Sequence, residues 1–165
     1  VNQLLQLFVH GAHAFQQFQK HREQSQARQR AHGLSHFAGI IHDACEKAGF
    51  SVRSVNPDAV SFWYQGLPLT IVHEECEFVC YAGTGYTFNS AVPREVEELL
   101  ERRNASLRYG LWGAPWLDEY YAVTLRVRIV PDNFDVELFR EVTGFVTIER
   151  NRVMEILERA GYSRT

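Results

Sequence analysis

The chain has 165 residues, 45% of them hydrophobic and 22% charged, with a formal net charge of −3. That length and balance suit one globular domain with a real core, and the charge supplies no basic field to attract nucleic acid or an anionic membrane. Three cysteines (Cys45, Cys76 and Cys80) form no disulfide framework, and no apolar run reaches the ~20 residues of a membrane span, so a reducing, cytoplasmic setting is expected.

Val1 to Val9 is apolar but has neither a basic leader nor a small-residue cleavage site, so it does not read as a signal peptide. Leu4, Leu5, Phe8, Ala12, Phe15 and Phe18 fall near helical spacing, and from Gln16 to Gln29 the segment turns polar and Gln-rich. Residues 1–33 are therefore expected to form a helical arm ending at Gly33, which covers the body or serves assembly. Ser35 is a fair N-cap for a helix over His36–Ala48, with Phe37, Ile40, Ile41, Ala44, Cys45 and Ala48 as its apolar stripe and Gly49 as its end.

Three short strands follow: Val60–Tyr64, Leu69–His73 and Glu77–Ala82, with Val52–Val55 a further beginning cut off by Asn56-Pro57-Asp58. Gly83-Thr84-Gly85 is expected to end or kink the third strand. Val92–Asn104 reads as a helix opened by Pro93, its stripe being Val92, Val96, Leu99 and Leu100. Leu107–Trp112 alternates, and Glu119–Val130 alternates more clearly: Tyr121, Val123, Leu125, Val127 and Ile129 against Thr124, Arg126 and Arg128. These two stretches should pair as a hairpin, with the longer one projecting at Glu119–Ala122 beside a loop that carries Trp116. A last helix is expected from Phe134 to Ala160, kinked at Gly144 and capped by Gly161.

The order helix-βββ-helix-ββ-helix, behind an extra N-terminal helix, predicts an α+β domain over residues 34–165 with an antiparallel sheet of about five strands and helices packed against it. This order, with the VPREVEELLERRN helix followed by LRYGLW and YYAVTLRVRIV, resembles the type III secretion chaperone-like superfamily, which includes the YbjN-like proteins. The resemblance covers about His36 to Ala160. It implies a small cytoplasmic protein, often a homodimer, that binds a partner polypeptide on exposed apolar patches. It carries no motif with chemistry, so no residue role transfers.

The chemistry-bearing residues form no recognisable catalytic pattern. His10 and His13, and His32 and His36, have helical spacing but lack a third ligand, so no metal or other cofactor is expected. Cys76 and Cys80 would lie ~13 Å apart along a strand. Gly83-Thr84-Gly85 lacks the third glycine and the helix of a dinucleotide loop, and Glu74, Glu75 and Glu77 read as a solvated turn. Arg126 and Arg128 share a strand face, where pairing with Glu77 is expected. The aromatic concentration around the strands is the feature that points to binding. Trp63, Trp112, Trp116, Tyr120 and Tyr121 are the candidate partner-contacting residues.

The expected function is a non-catalytic, protein-binding or chaperone-like module acting as a homodimer, with a protein partner whose identity the sequence does not give. The alternatives are a scaffold assembled through the N-terminal helix, or a small-ligand-binding protein or enzyme with an aromatic-lined pocket and a histidine such as His73.

Overall fold

The computed structural model describes residues 35–164; the expected arm over 1–33 lies outside the described residues. Helix α1 spans His36–Ala48. Strands β1 (Ser51–Asn56), β2 (Ala59–Tyr64), β3 (Leu67–Glu74) and β4 (Glu77–Phe88) follow, then helix α2 (Arg94–Ser106). Strands β5 (Leu111–Gly113), β6 (Trp116–Leu117) and β7 (Tyr120–Ile129) lead through a 3₁₀ turn at Pro131–Asn133 into helix α3 (Val136–Arg159). The α+β class with helices on an antiparallel sheet is as expected. Among the described residues the sheet has seven strands, in the order β1-β2-β3-β4-β7-β5, with β6 also paired to β7.

Local chemistry explains the elements. Ser35 accepts from the Ala38 amide and caps α1, and Gly49 closes that helix at φ +77°. Gln65 and Gly66 both take positive φ, 49° and 76°, which suits the tight turn between β2 and β3. Asp135 accepts from the Leu138 amide at 2.7 Å and starts α3. Alternation on β7 puts Val123, Leu125, Val127 and Ile129 into the core. There they meet Phe78, Cys80 and Ala82 of β4, and Phe139, Val142 and Val146 of α3. Cys45 and Cys80 are buried, and burial pushes both thiols up to about 12; Cys76 is exposed at the β3–β4 turn.

Four expectations need correction. Ser51–Asn56 is a complete edge strand, with its register shifting between Val52 and Ser54. Second, β4 does not stop at Ala82. It runs to Phe88 through a wide bulge where Gly83 faces Thr124 and Thr87 faces Ala122. Thr84 stitches that bulge: its hydroxyl donates to Val123 O at 2.9 Å and accepts from the Tyr86 amide at 3.2 Å. Third, α2 runs two residues past its expected end, to Ser106, and Leu107–Gly110 form the turn after it, so only Leu111–Gly113 pairs with β7. Gly110 makes the reversal at φ +88°, and a Cβ there would sit 3.0 Å from Arg126 O.

Fourth, the projecting end of β7 is the other one. Trp116 and Leu117 are not loop; they pair with Tyr121 and Tyr120. It is Val127–Ile129 that extends beyond the β5 ladder, which ends at Arg126.

Gly144 does not interrupt α3, which is helical throughout. A Cβ at Gly144 would meet only the Tyr64 hydroxyl, at an ordinary 3.9 Å. Gly144→Ala is therefore expected to stabilise the fold by about 0.5–1 kcal/mol, read from urea denaturation. A destabilised variant would show that the helix is strained there.

Candidate partner-binding surface

Strand β5 is only three residues long and is held in place by side chains from two helices. Asn104 of α2 reaches its outer edge. Its Nδ2 donates to Trp112 O at 2.9 Å, and its Oδ1 accepts from the Trp112 amide at 2.7 Å. One carboxamide thus satisfies both peptide groups that the strand turns away from β7. Below, Trp112 is 2% exposed, with its indole in the core. Its Nε1 donates to Glu149 of α3 at 3.4 Å. The buried Glu149 carboxylate also accepts from Arg103 of α2 in a forked pair, at 2.8, 2.6 and 2.7 Å, and from Arg152 at 3.3 Å.

This clamp presents an apolar corner. Trp116 (50% exposed), Leu117 and Tyr120 are exposed together where β6 pairs with the start of β7, while Leu111, also exposed, lies opposite Arg126, ~17–20 Å further along β7. Trp116 is fixed edge-on against Tyr121, with ring centroids 4.9 Å apart, so its ring is presented in a set orientation. A cleft of about 430 Å³, lined by Val92, Leu100, Asn104, Ala114 and Tyr121 among others, opens beside it toward α2. On the outer face, Leu111 sits in one cross-strand row with Arg126, Tyr81, Thr70 and Ser61. Burial raises the Tyr81 pKa first, and its hydroxyl's hydrogen bond to Glu74 adds to this; Arg126 opposes both. Arg128 pairs with Glu77 at 3.3 Å, as expected from the sequence.

The sequence-derived candidates divide. Trp116, Tyr120 and Tyr121 come together at the corner. Trp112 must be withdrawn as a contact residue, because its ring is core and its amide, carbonyl and Nε1 are all engaged internally. Trp63 is 41% exposed but sits on β2, four strands from β6 and so ~19 Å away at the spacing between strands. There the Arg53 guanidinium lies 5.4 Å over its ring. His73 is at the opposite end of the sheet, stacked on Phe37 at 5.3 Å. His10, His13 and His32 lie outside the described residues. Among the described residues, His42, Asp43 and Glu46 on α1 bring potential ligand atoms within 4.8 Å of one another, a common arrangement for exposed acidic groups without an ion.

Sequence reading missed Leu111, Leu117 and the Asn104 clamp. Leu111 and Leu117 are aliphatic, so the aromatic concentration that pointed to binding did not include them. Nothing local marks Asn104 as the residue that closes an edge.

With this geometry in hand, the fold can be compared with solved structures. A chain of the heterodimeric ExoU–SpcU complex from the type III secretion system of Pseudomonas aeruginosa superposes with a TM-score of 0.55 at 17% identity, covering 71% of this chain and 97% of that one. At that identity the likeness is one of fold. No family model and no curated protein matches the sequence. Among the described residues, no helix is long and apolar enough to cross a membrane.

Removing Glu149 leaves the Arg103 guanidinium and the Trp112 indole N–H without their partner. Glu149→Ala is expected to lose about 3 kcal/mol of unfolding free energy in urea denaturation. A loss under about 1 kcal/mol would mean the clamp does not hold β5.

Proposed function

We propose that this protein is a non-catalytic, chaperone-like module that holds a segment of a partner protein against the β5–β6 corner. The carrying observation is that Trp116, Leu117 and Tyr120, exposed large apolar side chains, share one corner where β6 pairs with the start of β7. Exposed apolar groups gathered beside a cleft are the usual mark of a protein contact, and rigid aromatics supply area at low entropic cost. Asn104 occupies the outer peptide groups of Trp112, so the partner engages side chains here rather than adding a strand to β5. The fold likeness to a chain of a two-protein secretion complex supports the same reading.

The finer assignments belong to this proposal too. A homodimer is the expected assembly, a YbjN-like affiliation rests on the order of elements, and a cytoplasmic location fits free cysteines at Cys45, Cys76 and Cys80.

The test uses Trp116→Ser with Leu117→Ser, both exposed, so the fold is expected to keep its thermal midpoint. Proteins retained by the immobilised full chain should be lost at least tenfold by the double variant. Equal retention by both would overturn the corner as the site. Light scattering on the same samples should give twice the 19.0 kDa chain mass; the single-chain mass would remove the homodimer.

A further inference from the structure

A second surface lies where β5 begins, on the outer face of the sheet. A pocket of about 380 Å³ opens there, lined by Arg108, Tyr109, Gly110, Leu111, Arg126 and Arg128. Three of these six residues are arginines and none is acidic. Two of the arginines come from β7. Arg126 and Arg128 are two apart on that strand and so project from one face. The third comes from the turn after α2. Gly110 takes φ +88°, and a Cβ there would sit 3.0 Å from Arg126 O, so the turn lies directly against β7 and brings Arg108 to the same opening.

The acidic groups nearby leave most of this charge unanswered. Glu77 of β4 pairs with Arg128 at 3.3 Å. Glu74 of β3 accepts from the Tyr81 hydroxyl, which Arg126 faces from the neighbouring strand. Arg108 lies over the Tyr109 ring, 5.5 Å from its centroid. Among the described residues, Arg128 alone of the three has a carboxylate within ion-pair distance. Like charges around one opening repel one another, and a chain of net charge −3 is not basic overall, so the cluster is local. A bound anion removes that repulsion, and guanidinium forks match the two oxygens of a carboxylate.

The walls indicate what the anion is attached to. Tyr109 and Leu111 are exposed large apolar side chains at the pocket. Tyr109 and Arg128 also line an adjoining groove of about 360 Å³ between β7 and α3. Val127, Leu138, Val142 and Phe145 make it largely apolar, with Asn133 and Glu141 as further polar members. The acidic group is therefore met beside apolar surface, and Glu141 disfavours a second acid in the groove. A peptide with an acidic residue next to an apolar one has that composition. A nucleic acid, with a phosphate on every unit, does not.

We propose that this pocket binds an acidic peptide, with an Asp or Glu carboxylate held by Arg108 and Arg126 and the next, apolar side chain laid over Tyr109. The site does not depend on the β5–β6 corner, which lies ~17–20 Å away along β7.

The test is fluorescence anisotropy of a labelled short peptide alternating Glu and Leu, titrated with the full chain. Binding is expected to saturate. It should weaken at least tenfold with a Gln-Leu peptide, and at least tenfold in Arg108→Gln with Arg126→Gln. Arg94→Gln with Arg159→Gln removes the same charge from exposed helix positions and should leave binding unchanged. So should Trp116→Ser with Leu117→Ser, which separates this pocket from the corner. If the double arginine variant lowers the thermal midpoint, Arg108→Gln alone, at an exposed turn position, should still weaken binding at least threefold. Equal loss in the Arg94 and Arg159 variant would mean general charge attraction and would overturn the site. Binding of oligothymidylate or phosphatidylserine vesicles that is lost with Arg108 and Arg126, while the Glu-Leu peptide is unaffected, would overturn the peptide in favour of a phosphate ligand.

Discussion

The Glu149 carboxylate is the point on which three elements converge. It is buried on α3, takes a forked pair from Arg103 on α2, and accepts from the Trp112 indole on β5. A carboxylate withdrawn from water is costly unless its lone pairs are met, and here they are met by partners 46 and 37 residues away in sequence. Meeting them fixes α2 across the end of the sheet. Asn104, one residue after Arg103, then reaches the outer edge of β5. A strand of three residues has little stability of its own. The helices hold it, and it in turn sets the position of β6 and of the exposed corner.

The two halves of this sheet edge therefore behave differently. At β5 the outward peptide groups of Trp112 are already bonded, and what faces solvent is side chain: Leu111, and beyond it Trp116, Leu117 and Tyr120. At Val127–Ile129 the β5 ladder has ended, and no other strand among the described residues pairs with this edge, which runs above an apolar trough. One half suits contact through aromatic and aliphatic groups, and the other suits an added strand. Gly110 marks the divide. Its positive φ and its 3.0 Å approach to Arg126 O turn the chain away from β7 just where β5 would otherwise have continued.

Much of the fold was legible in the sequence. Alternation on β7 and the capping residues Ser35 and Gly49 are local signals, and each lies where local physics places it. The errors came where local rules permit two outcomes. Glycines at 83 and 85 suit a strand end or a bulge, and the bulge wins because Thr84 replaces the lost ladder bonds and Tyr86 has a buried seat. The projecting end of β7 was misjudged because the reversal at Gly110 takes Leu107–Gly110 out of the alternating stretch and leaves β5 only Leu111–Gly113. Trp116 and Tyr120 were visible as contact candidates because aromatics concentrated around the strands stand out. Trp112 has the same local look, yet it is core, because Arg103 and Glu149 form a dry, polar end wall for its ring. No window of neighbouring residues contains that information.

The claim that the helices, rather than the sheet, hold β5 is tested most directly by backbone amide exchange at Trp112 in the full chain and in Asn104→Ala. In the native chain this outward amide is expected to exchange as slowly as core amides of β7 such as Leu125. In Asn104→Ala it should exchange at least tenfold faster, with Leu125 unaffected. A Trp112 amide that exchanges at the rate of an exposed loop in the native chain would contradict the clamp, and with it the placement of the apolar corner.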